Sequence, residues 1–109
     1  MKRGDLVVVS IPGDYGKPRP ALVVQSDEFN GTHASVSVAP ITTTLIDAPL
    51  FRITIDPSLA TGLRAVSQIM IDKVTPMRRD RLGKPIGEVD DATMLRVNRA
   101  LALWLGIGS

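Results

Sequence analysis

Lys17-Pro18-Arg19-Pro20-Ala21-Leu22-Val23-Val24-Gln25 sets an arginine between two prolines, directly before a branched apolar run. Proline lacks a backbone N–H and fixes φ, so Pro18 and Pro20 exclude a helix here and hold the chain extended as it enters a strand. One guanidinium is thereby carried on a stiff loop-to-strand junction. A permanently charged, five-donor fork on such a support suits an anionic ligand such as phosphate. The plainer alternative is a surface arginine that ends a loop.

Similar short runs lie on either side. Asp5 to Ile11 is rich in β-branched residues and reads as a first strand, followed by a Pro-Gly loop from Pro12 to Gly16. Arg19 to Gln25 is the second strand, and 27–32 is a turn or a single helical turn. Ala34 to Ile41 gives a third strand and Phe51 to Ile55 a fourth, stopped by Asp56-Pro57. Ala65 to Val74 gives a fifth, stopped by Thr75-Pro76. Short strands at close spacing with turn residues between them predict a mainly β domain, a compact antiparallel barrel or sandwich. Closing the sheet would hide its edges.

The period changes near the C-terminus. Asp90 or Asp91 can cap a helix in which Met94, Val97, Leu101 and Trp104 or Leu105 recur on one stripe, with Gly106 as the stop. Full burial of four such side chains would contribute roughly 1.5–3 kcal/mol each before entropy. Arg78 to Leu82 can form a short helical turn.

The 109 residues make one domain, 1–109, with 44% apolar residues, enough for a single core. There are no cysteines, so neither a disulfide framework nor a thiolate metal site exists. The start, Met1-Lys2-Arg3-Gly4-Asp5, has no apolar signal region, and no run approaches the ~18 residues of a membrane helix. The expected location is the cytoplasm, with no membrane partner. The net charge of +2 is uneven: 63–99 holds eight basic and five acidic side chains, whereas 20–62 holds one basic and four acidic. That asymmetry allows a basic face for a polyanion or an ordinary mixed surface.

The single histidine, His33, rules out a two-histidine acid–base pair and a His-rich zinc site, and reads as a solvated loop residue. No glycine-rich nucleotide loop is present. Asp90-Asp91 is explained by helix capping rather than by a cation. Catalysis, if any, falls to Arg, Lys, Ser, Thr, Tyr, Gln and carboxylates, which points toward phosphate-ester chemistry driven by positioning and charge.

Several segments together resemble the MazF/PemK (Kid) family of toxin endoribonucleases of type II toxin–antitoxin modules. Lys2-Arg3-Gly4-Asp5 before an apolar strand is similar to the family's start, and Lys17 to Asp27 to its Arg-Pro strand. Ala39-Pro40-Ile41-Thr42-Thr43 resembles its Pro-Ile-Thr strand end, and Ser67-Gln68-Ile69-Met70-Ile71-Asp72-Lys73-Val74 its later strand. Gly87-Glu88-Val89 and the terminal helix resemble its tail. The resemblance implies a small SH3-like antiparallel β-barrel of the MazF/Kid/CcdB type with one C-terminal helix, acting as a homodimer. It implies an enzyme, a cofactor-free and metal-independent endoribonuclease cleaving single-stranded RNA. The 2′-OH attacks the adjacent phosphate, leaving 2′,3′-cyclic phosphate and 5′-OH ends. A cognate antitoxin with a disordered tail is the implied inhibitor.

Carried onto this chain, the resemblance makes Arg19 and Thr42 the catalytic residues. Arg19 would stabilise charge on the phosphate oxygens, and Thr42 would bind a phosphate oxygen or orient the 2′-OH. Thr42 can equally be a hydroxyl closing a turn at a strand end. Substrate contacts are expected from Tyr15, Lys17, Thr43, Ser67 and Gln68, Tyr15 by stacking on a base. Ser67 and Met70 stand where the family often has an acidic residue and an arginine. No residue is assigned as general base. Two other readings stay open: a non-catalytic gyrase poison resembling CcdB, acting through Trp104-Leu105-Gly106-Ile107, and an inactive toxin-like relative.

Overall fold

The computed structural model describes residues 1–10 and 17–108. Seven strands and two helices follow in order: β1 (Asp5–Ser10), β2 (Pro18–Val23), α1 (Asp27–Asn30), β3 (Ser35–Thr42), β4 (Arg52–Ile55), β5 (Ser67–Met70), β6 (Thr75–Arg78), β7 (Leu82–Glu88) and α2 (Asp91–Leu105). The class is mainly β with one long C-terminal helix. No helix among the described residues is long and apolar enough to cross a membrane.

The pairing is antiparallel throughout, in the order β4-β5-β3-β2-β1-β7, with β6 also on β3. Two strands were not expected from sequence. The run Ala65 to Val74 does not form one strand. It breaks after Met70 into a 3₁₀ turn, Ile71–Lys73, and then resumes as β6 through Thr75-Pro76. Between the pairs Ile41↔Ile69 and Val38↔Thr75, β3 advances three residues and its partner six. Pro76 is tolerated because β6 pairs only with β3, and an edge strand needs no N–H on its open side. The turn expected at Arg78 to Leu82 forms as a 3₁₀ turn, Arg79–Arg81, leading into β7.

The expected barrel is not closed by strand pairing. No ladder joins β4 to β7 among the described residues. Asp56-Pro57 ends β4 after four residues, before it can reach β7. The following segment crosses the gap instead, where the Glu88 N–H donates to the Ala60 carbonyl at 2.9 Å. Two glycines make this approach possible. Gly62 has φ +74°, and a methyl group at Gly87 would collide with the backbone of Ala60 and Thr61.

Both faces of β1, β2 and β3 are buried, which explains their nearly continuous apolar runs. Leu6, Leu22, Ala39, Ile41, Ile53 and Ile69 point to one core, where Val97 and Ala100 of α2 cover them. Val7, Val9, Ala21, Val23, Val36, Val38 and Met77 form a second core on the other face, edged by half-buried Leu82. Asp90 caps α2 by accepting from the Thr93 N–H at 2.8 Å, and the bonds from Thr93 hold its carboxyl below the usual aspartate range. Gly106 ends the helix in the left-handed conformation. The buried stripe is shorter than its sequence pattern. Val97 and Ala100 are buried, Met94 and Leu101 half-buried, but Trp104 and Leu105 are exposed.

Candidate functional site

The strand registers bring separate segments into one row. Thr42 pairs with Gln68, and Gln68 with Thr54. Arg19 pairs with Val9, and Val9 with Leu82. Between these sets, β2 and β3 pair at Ala21↔Pro40. Arg19 precedes Ala21 by two residues and Thr42 follows Pro40 by two, so both lie at equal offsets beyond that pair. Side chains alternate along a strand, so Arg19 shares a face with Ala21 and Val23, and Thr42 with Pro40 and Val38. Ala21, Val23 and Val38 belong to the second core. Arg19 and Thr42 thus stand together at the outer rim of that core.

Burial grades across the row. Arg19 and Lys17 are exposed, Thr42 is half-buried and Thr43 is exposed. The stiff β2 entry is realised: Pro18 and Pro20 both lie within β2, paired with Ser10 and Val8. The Thr42 Oγ1 accepts the Thr44 N–H at 3.0 Å, the turn-closing bond open to a hydroxyl at a strand end. This bond does not displace a ligand role. One of the two lone pairs is taken, and the hydroxyl proton and the second lone pair remain for a ligand.

Ser67 and Gln68, expected as substrate contacts, are buried. Ser67 is buried and its hydroxyl donates to the Ala65 carbonyl at 2.9 Å. Gln68 is 5% exposed. Its Oε1 accepts from the Ile46 N–H at 3.1 Å, while its Nε2 donates to the Ile46 carbonyl at 2.9 Å and to Thr54 Oγ1 at 3.2 Å. Sequence reasoning missed Ile46 and Thr54, because only register and burial reveal that a polar residue on the neighbouring strand holds the loop after Thr42. Tyr15 lies outside the described residues. His33 is exposed, its ring Nδ1 within 3.2 Å of the Ser35 N–H. Among the described residues no group of three His, Cys, Asp or Glu side chains could hold a metal ion.

Chemically, the rim offers the Arg19 guanidinium and the Thr42 hydroxyl at the edge of a packed apolar core, with Lys17 and Thr43 exposed close by in the chain. Donors fixed in this way stabilise charge developing on a phosphoryl oxygen without reorganising.

Known proteins are similar to this chain in sequence and in fold. The profile of PemK-like, MazF-like toxins of type II toxin–antitoxin systems matches residues 2–105. A "Probable endoribonuclease MazF" of Mycolicibacterium smegmatis is 50% identical over 108 residues, covering 98% of each chain. "Endoribonuclease EndoA" of Bacillus subtilis is 30% identical over 112 residues, covering 98% of this chain and 96% of its own. A solved mycobacterial endoribonuclease in complex with its cognate antitoxin superposes with a TM-score of 0.84 at 28% identity, covering 100% of this chain and 98% of its own. Matched by the profile over residues 2–105 and half identical to a MazF relative along nearly its whole length, this chain belongs to the family of PemK-like, MazF-like toxins of type II toxin–antitoxin systems.

Proposed function

We propose that the chain is a sequence-selective endoribonuclease toxin that cleaves single-stranded RNA without a metal ion. The observation that carries this reading is the placement of Arg19 and Thr42 on one rim of one face, in a chain half identical to a probable endoribonuclease. The 2′-oxygen bonds to phosphorus as the P–O5′ bond breaks. The 2′-OH gives up its proton and the departing 5′-oxygen takes one, leaving a 2′,3′-cyclic phosphate and a 5′-OH. Arg19 holds two phosphate oxygens and stabilises their growing charge, a role suited to a group that keeps its proton. Thr42 donates to a third position on the same phosphate. Lys17 and Thr43 contact the flanking backbone.

A cytoplasmic setting and an acidic antitoxin with a disordered tail complete the reading, since a rim built for a polyanion also suits a carboxylate-rich peptide. The active form is a homodimer. Leu50, Phe51, Leu103 and Trp104 line one exposed apolar depression, and Phe51 and Trp104 meet at a ring separation of 5.6 Å. A second copy is the natural cover for such a patch.

The test is a long RNA incubated with the protein in EDTA, with cut sites and end groups mapped. Cleavage with cyclic phosphate ends supports the reading. Arg19→Ala should lower the rate by about 10²–10³-fold or more. Full activity in a folded Arg19→Ala variant removes Arg19 from the chemistry, and intact RNA with the native chain selects the inactive relative. The gyrase-poison reading draws on Trp104 and Ile107, 50% and 66% exposed. Removing residues 106–109 separates the two: toxicity lost with RNA cleavage intact selects the binder.

A further inference from the structure

We propose that Gln68 is a positioning residue for RNA cleavage, whose buried carboxamide pairs with both backbone groups of Ile46 and so fixes the loop that orients Thr42. The inference rests on the endoribonuclease reading for its kinetic part and on geometry alone for its structural part.

Gln68 is paired across the sheet to Thr42 on one side and Thr54 on the other, beneath the rim. Its carboxamide meets Ile46 as a strand would, receiving the N–H and donating to the C=O. The second Nε2 proton goes to Thr54 Oγ1. Both donors of the side chain are therefore committed, and at 5% exposure it presents none to a substrate.

What the contact holds is the segment leaving β3. Thr42 is the last residue of that strand, and its Oγ1 is bound to the Thr44 N–H. From Thr44 the chain runs to Ile46, then to the turn where the Phe51 and Arg52 N–H groups both donate to the Ala48 carbonyl. Ile46 is the point between these two anchors at which Gln68 ties the loop to the sheet. Ile46 is 45% exposed, so apolar burial adds little to the tie. Without it, Thr44 is free to move, and the rotamer of the Thr42 hydroxyl moves with it. A displacement of about 1 Å at a reacting group can cost about 100-fold in rate.

Gln68→Glu keeps the shape but loses both donors and sets a carboxylate against the Ile46 carbonyl. Gln68→Met keeps the volume and loses every bond. We expect kcat for a short RNA to fall about 100-fold in both, with KM and the affinity for a 2′-deoxy, non-cleavable analogue unchanged. Combined with Thr42→Val, Gln68→Met should cost nothing further, because the group it positions is gone. Amide exchange across 43–48 should rise at least about tenfold in the variants while β1 to β3 stay protected.

A loss of analogue affinity with kcat intact would make Gln68 a direct contact and overturn the proposal. So would unchanged amide exchange across 43–48 in folded Gln68→Met. If the native chain cleaves no RNA, the endoribonuclease reading fails, while exchange still decides whether Gln68 holds the loop.

Discussion

Arg19 and Arg52 carry the same charge in different surroundings. Arg52 grips Asp72 through two bonds, Nε to Oδ1 at 2.8 Å and Nη2 to Oδ2 at 3.1 Å, with the side chains 11% and 17% exposed. It ties β4 to the 3₁₀ turn that interrupts β5 and β6. Arg19 stands exposed on the rim. The hydrogen bond from Arg52 lowers the Asp72 pKa from its ordinary value. The folded pKa is thus below the unfolded one. The stabilisation is complete above about pH 4, the ordinary aspartate pKa, and is lost as pH falls through the depressed value. Asp72→Asn should cost about 1.5–3 kcal/mol at neutral pH, the range for a hydrogen bond to a charged group. It should also flatten the acid limb of melting temperature against pH; an unaltered limb would show that other carboxylates govern it. The extended strand entry that carries Arg19 was legible in the sequence because the flanking prolines fix the backbone by themselves. Gln68 was not, since its role depends on Ile46 and Thr54, partners that only the register supplies.

Elements were legible where their signals are local. Asp90 and Gly106 bound α2 as expected, each through chemistry confined to one turn. The Ile107 N–H donates to the Ala102 carbonyl at 2.8 Å across the left-handed Gly106, φ 72°. Gly106→Ala should therefore cost about 1–2 kcal/mol, about 4–8 °C in melting temperature, with RNA cleavage unaffected. An unchanged melting curve would mean that the helix end is already frayed. The β5–β6 break was not legible. Ile69-Met70-Ile71 reads as continuous strand, and Pro76 reads as a terminator because proline usually is one. The three extra residues against β3 follow from how the two strands meet, not from local propensity. For the same reason Trp104 fits the helical stripe by spacing yet lies beyond the surface that α2 covers.

For the whole molecule, composition and strand spacing made the mainly β class readable, but not how the sheet's ends meet. That depends on β4 stopping at Asp56-Pro57, with Gly62 and Gly87 admitting backbone against backbone. The exposed depression of Leu50, Phe51, Leu103 and Trp104 belongs to this scale too. Leu103→Asp should convert the proposed dimer to monomer in sedimentation; a dimer that persists would assign the contact to another face. The bridge at Ala60 and Glu88 has a mechanical consequence. A continuous barrel must rupture a full ladder to open, whereas here, among the described residues, one backbone bond from the Glu88 N–H to the Ala60 carbonyl fastens the 56–63 segment to β7. Thermal unzipping should begin there, with the Glu88 amide losing its deuterium protection well before those of β1 to β3.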